Sequence, residues 1–156
     1  IYTGKSMLFL PVRKSRLEDT QIRAFDASEA APPLRVNVIK PQHHNWRVVH
    51  DLARDISPRG VINDDGVQLI NEIDLTIGRS TKEWYTYQGD DFNSVRGETL
   101  CERSFCRGSW STRTVTRTVL TSSQKAFFVC AELDSYEGDK RVFSENWDSV
   151  IPRDFV

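Results

Sequence analysis

Cysteine is scarce in this chain: Cys101, Cys106 and Cys130 are the three thiols in 156 residues. An odd count is a poor disulfide framework. Cys101 and Cys106 are an odd number of positions apart in one predicted strand, so they face opposite ways and cannot share a metal. The thiols are expected to be small buried hydrophobes in a reduced compartment, which points to the cytoplasm. Long apolar runs are missing too. "MLFLPV", Met7 to Val12, stops at a proline, far short of the roughly 20 residues of a membrane span. The formal net charge of -1 gives no pull toward nucleic acid or an anionic membrane. The opening "IYTGKSMLFLPV" lacks the basic head and apolar stretch of a secretory signal. A start at Ile1, inside strand-like sequence, suggests a chain cut from a longer one.

Catalytic signatures are thin. Gly4-Lys5-Ser6-Met7-Leu8 approaches the nucleophile elbow of α/β hydrolases, but Leu8 breaks it. The same Gly-Lys-Ser lacks the glycine loop of a phosphate-binding motif. Of the three imidazoles, His43 and His44 follow Pro41 and read as a solvated turn. His50 could bond Asp51 or serve as a base, yet no convergent set surrounds it. No carboxylate or thiol stands at a zinc-site distance from any histidine. Asp64-Asp65 and Asp90-Asp91 lie beside glycines, and turn geometry accounts for them without calcium. No catalytic residue, metal ligand or cofactor is therefore assigned.

What is present is β sequence. After Ile1–Val12, read as a strand, the polar stretch Arg13–Pro33 reads as a linker or surface arm. It has room for one helical turn near Leu17 to Ile22, and Pro32-Pro33 stiffens its end. Residues 34–156 form the second division. "LRVNVIK" and "NWRVVHDLA" read as strands, Asn63-Asp64-Asp65-Gly66 as a turn, and Gly78 and Gly89-Asp90-Asp91 as punctuation. Then come four long strands: Val95–Cys106, Trp110–Thr121, Ala126–Tyr136 and Lys140–Ile151. β-branched and aromatic residues dominate them. Joined by tight turns, they predict an antiparallel meander. At about 35 Å each, such strands are expected to coil. The fold class predicted is mainly β with little helix: a curved sheet, barrel-like or sandwich.

Phe127, Val129, Ala131 and Leu133 share one side of their strand, and apolar residues on the other side call for a cover there. Arg96, Arg103, Arg107, Arg113, Arg117 and Lys125 concentrate positive charge on two adjacent strands, and the acidic Glu132, Asp134, Glu137, Asp139 and Glu145 lie on the next two. Cross-strand ion pairs on a solvated face are the expectation. The acidic neighbours argue against nucleic acid. Trp46, Trp84, Trp110 and Trp147 are candidate anchors for docking or ligand contact, and Arg113 and Arg117 are candidates with them.

The ending "YEGDKRVFSENWDSVIPRDFV" resembles the C-terminus of one long branch of the CocE/NonD hydrolases, relatives of X-Pro dipeptidyl-peptidases and cocaine-esterase-type acyl hydrolases. Tyr136–Asp139, Val142, Phe143, Trp147 and Ile151–Asp154 carry the likeness. "GSWSTRTVTRTVLTSS", "INDDG", "APPLRVNVIKP" and "LFLPVRKSRLED" extend it upstream. The resemblance implies an N-terminal α/β-hydrolase domain with a helical cap, a jelly-roll domain, and this C-terminal extension. Residues 1–33 would be the end of the jelly-roll region plus a linker arm, and 34–156 a C-terminal β domain. The family's triad lies in the hydrolase domain, and none of it maps here. The implied role is non-catalytic: shaping or docking to the hydrolase domain, or making a homo-oligomer contact. A curved sheet enclosing a lipid-like or sugar-like ligand is the alternative.

Overall fold

The computed structural model describes residues 9–154. Contacts divide the chain into two units, Ile1–Pro32 and Pro33–Val156. Most of the strand expected over Ile1–Val12, and the Gly4–Leu8 segment with it, lies outside the described residues, and Phe9–Val12 carry no strand pairing. The first unit holds one 3₁₀ turn, Leu17–Gln21. Asp19 organises it: its carboxylate pairs with Arg13 and accepts the Arg16 backbone N–H at 2.8 Å.

The second unit is a single antiparallel sheet. Strand makes up 64% of the structure, with no α-helix among the described residues. The strands are β1 Val36–Lys40, β2 His43–Val48, β3 Arg59–Ile70, β4 Leu75–Gln88, β5 Asp91–Arg107, β6 Trp110–Ser122, β7 Ala126–Glu137 and β8 Lys140–Pro152. From β3 to β8 the order in space is the order in sequence, as a meander requires. The four long strands expected from the alternation stand within a few residues of the observed β5 to β8. In the β5–β6 and β7–β8 hairpins a two-residue loop opens on Gly108 (φ 55°) and Gly138 (φ 56°). Glycine at that first loop position lets the turn match the strands' twist.

The other edge departs from expectation. β1 and β2 lie end to end along β3, broken at Pro41-Gln42. Proline has no N–H to give a ladder, so an edge strand tolerates it and breaks there. Opposite the break, β3 bulges. Asp64 pairs with Ser80 and Gly66 with Arg79, leaving Asp65 unpaired. Asn63–Gly66 is thus a bulge inside a strand, not the turn that its composition suggests. A glycine at positive φ serves both structures, and Gly66 has φ 75°. His43 and His44, expected in a solvated turn, open β2 opposite Asp64 and Asn63. Gly78 punctuates nothing: it is paired on both sides within β4.

The sheet is open and uncurled, not closed as a barrel or stacked as a sandwich. Register explains this. One row of paired residues crosses it as His44, Asn63, Thr81, Cys101, Thr116, Leu133 and Glu145. From Thr81 onward each lies near the middle of its strand, so almost no stagger accumulates. Closing a barrel requires stagger, and among the described residues β8 pairs only with β7. With one layer there is almost no interior. Val61, 6% exposed, is the one buried hydrophobic residue among the described residues.

Candidate functional site

Paired residues share a face in an antiparallel sheet, so the register sorts the side chains into two sets. One face carries the row Trp46, Val61, Glu83, Thr99, Thr118, Ala131 and Trp147. Two tryptophans thus end one row at opposite edges of the sheet. Leu120 with Val129, Ile77 with Phe105, and Phe127 with Ile151 join this face. It includes the expected Phe127, Val129, Ala131 and Leu133 set. Much of it is open to solvent: Trp46 is 72% exposed and Trp147 47%.

Most of the sheet's ion pairs lie on the reverse face, although Arg79 meets Asp65 at 3.3 Å on the first. Lys40 Nζ lies 2.6 Å from Asp64 Oδ2. Glu98 receives Arg117 Nε at 2.7 Å and Arg96 at 2.6 Å, and Arg117 reaches on to Glu132 at 3.4 Å. Arg141 meets Asp134 at 3.4 Å. These partners hold carboxylates charged. Arg117, then Arg96, keep Glu98 below the usual range. Lys40, then the Gly66 N–H, do the same for Asp64.

The six candidate contact residues divide between the faces. Trp46, Trp147 and Trp110 stand on the apolar side; Trp84, Arg113 and Arg117 stand on the charged one. They form no single site. Arg113 stacks on Tyr136, its guanidinium carbon 4.1 Å from the ring centre. Arg117 is engaged by Glu98 and Glu132.

The thiols behave differently from the buried role expected of them. Cys101 and Cys106 do fall on opposite faces, but both are only half-buried, and Cys130 is exposed. A single layer offers no core to hide them. A hydrogen bond with Asp148 raises the Cys130 thiol above its ordinary value. Among the described residues, no three His, Cys, Asp or Glu side chains are grouped to hold a metal. No helix of the described residues is long and apolar enough to cross a membrane.

One grouping escaped the sequence. In the β2–β3 connection, His50 Nδ1 lies 2.6 Å from Ser57 Oγ, and His50 Nε2 lies 3.5 Å from Asp55 Oδ1. Asp51 is not the partner of His50. It accepts the Ala53 and Arg54 N–H groups at 3.0 and 3.2 Å and so shapes the turn. The β2–β3 register, carried past Val48, sets His50 opposite Ser57. Reading Asn63–Gly66 as a turn hides that register.

Hydroxyl, imidazole and carboxylate are together here, but the surroundings oppose acyl transfer. Oxyanion stabilisation needs aimed donors in a water-excluded site. The residue after Ser57 is Pro58, which has no N–H. The Ser57 N–H is committed to the Tyr87 carbonyl at 3.1 Å. The His50 and Asp55 side chains are 44% and 66% exposed, so water screens the carboxylate.

Compared with models of protein families, with curated proteins and with solved structures, the chain matches none.

Proposed function

We propose that residues 34–156 are a non-catalytic C-terminal β domain of a serine hydrolase of the CocE/NonD kind, cleaving an amide or ester bond. Its apolar face docks on the α/β-hydrolase and jelly-roll domains of its own parent chain. The observation that carries the docking role is the exposed face running from Trp46 to Trp147, with Val61 the one buried hydrophobic residue among the described residues. Domains are built of at least two packed layers, and exposed apolar patches mark contact surfaces. The ordered motifs that resemble that family, from Leu8 to Asp154, favour the parent chain as the covering layer. A second copy docked on the same face is the other arrangement that would cover it. Three free thiols suit a reducing, cytoplasmic setting.

Two measurements test this together. The chain alone, given a p-nitrophenyl ester and an amide substrate, is expected to show no turnover. Turnover lost on Ser57→Ala would place chemistry in the chain and overturn the proposal. Adding the upstream hydrolase region is expected to shift tryptophan emission to the blue as Trp46, Trp110 and Trp147 leave water. An unchanged spectrum would remove the docking role.

A further inference from the structure

Four glycines lie within strands of the sheet, and three have their empty side-chain space taken by a neighbour. A Cβ at Gly66 would strike the Lys40 carbonyl; at Gly78 it would meet Ser104 Oγ at 2.4 Å; at Gly97 it would rest on the Tyr85 ring at 3.4 Å. At Gly60 nothing stands within 4 Å. Gly60 is paired with Arg47 on one side and Trp84 on the other, two strand spacings apart, or about 9.6 Å. On the charged face, therefore, an Arg and a Trp flank a gap. The groove there has a volume of ≈ 300 Å³, with Asn45, Pro58, Ile62 and Thr86 in its lining.

The chemistry of the walls is lopsided. Among the described residues no carboxylate pairs with Arg47. Glu98, next to Trp84 in the row, is held by Arg117 and Arg96. The groove thus offers an uncompensated guanidinium at one wall and an indole at the other, with Ile62 and Pro58 as apolar lining. We propose that it binds a small aromatic carboxylate. The ring enters the space over Gly60 against Trp84, and the carboxylate takes the planar fork of Arg47. Aromatic contact supplies burial and the ion pair fixes orientation. The volume sits at the small end of ligand pockets, which suits a single ring.

The test uses the full chain and 4-hydroxybenzoate, followed by the NMR signals of the Gly60 amide and the tryptophan indoles. Trp84→Phe assigns the Trp84 signal. A saturable shift at Gly60 and Trp84 is expected. Benzyl alcohol, which lacks the carboxylate, and glucuronate, which lacks the aromatic ring, are expected to bind at least tenfold more weakly. Arg47→Gln is expected to weaken 4-hydroxybenzoate by tenfold or more. Gly60→Val fills the gap without strain and should abolish binding while the melting temperature holds or rises. The assignment is overturned by undiminished binding to Gly60→Val, by equal binding of either comparator, by shifts centred elsewhere on the sheet, or by no saturable shift at all.

Discussion

Gly66 lies so close to Lys40 that a Cβ on it would stand 2.1 Å from the Lys40 carbonyl oxygen. The Pro41 carbonyl carbon would be 2.8 Å away. Both obstacles are backbone and cannot swing aside. Gly66 also has φ 75°, a conformation that costs other L-residues about 1–2 kcal/mol. Strain and clash act together where the edge strand breaks and β3 bulges. Gly66→Ala is expected to cost at least about 2 kcal/mol, read as a lower urea midpoint. Lys40→Met keeps the backbone and removes one surface ion pair. Its cost is expected to stay below about 1 kcal/mol.

The same bulge shows where the sequence stops being informative. Alternation and turn glycines located β5 to β8, because hairpin signals are local. Asn63–Gly66 looks like a turn in sequence because a glycine-supplied positive φ is common to turns and bulges. Telling the two apart requires the partner strand, and so does the pairing of His50 with Ser57. Closure is not legible in the sequence for a related reason. Strand length speaks for coiling, whereas the straight row from His44 to Glu145 depends on register, which no single strand encodes. The two faces were legible where a strand alternates cleanly, as at Phe127 to Leu133. What covers them was not, because periodicity fixes only the direction a side chain takes.

Acid should loosen the charged face through Glu98. Its folded pKa is depressed, chiefly by Arg117 and then by Arg96. A depressed carboxylate contributes its full stability above its unfolded pKa, about 4.3. It loses that contribution as pH falls through the lower folded value. Urea midpoints of the unsubstituted chain are therefore expected to hold above about pH 5 and fall below about pH 4. Glu98→Gln should start lower at neutral pH and fall less on acidification. A residual slope remains from Asp64, whose pKa Lys40 and Gly66 depress in the same direction. Parallel pH profiles for the two proteins would remove Glu98 from the account.

The His50 grouping yields a prediction about structure rather than turnover. Ser57 Oγ is 2.6 Å from His50 Nδ1, in a connection where Asp55 adopts φ 52°. Ser57→Ala removes one half-exposed hydrogen bond, so a loss of about 0.5–1.5 kcal/mol is expected. Asp55→Gly relieves the positive φ and should be neutral or slightly stabilising. Thermal melts of the two variants check this. A loss above about 3 kcal/mol for Ser57→Ala would mean that the cluster holds far more than a loop.

The apolar face separates intrinsic stability from docking. Trp147 and Phe143 lie on it along β8, each 47% exposed, opposite Ala131 and Ser135. Half-exposed side chains on an edge strand touch few neighbours. Trp147→Ser and Phe143→Ser are each expected to cost the chain alone about 1 kcal/mol or less, the scale of a cross-strand pair. At an interface the same rings become buried anchors, where truncation typically costs about 2 kcal/mol or more. If the sheet docks as proposed, binding to a hydrolase region of the CocE/NonD kind should therefore weaken about thirtyfold for Trp147→Ser. Arg141→Ala, on the charged face, should leave that affinity within about threefold. Titration calorimetry of the three variants decides which side of the sheet is covered. Equal weakening by Arg141→Ala and Trp147→Ser would mean that the sheet does not dock through its apolar side.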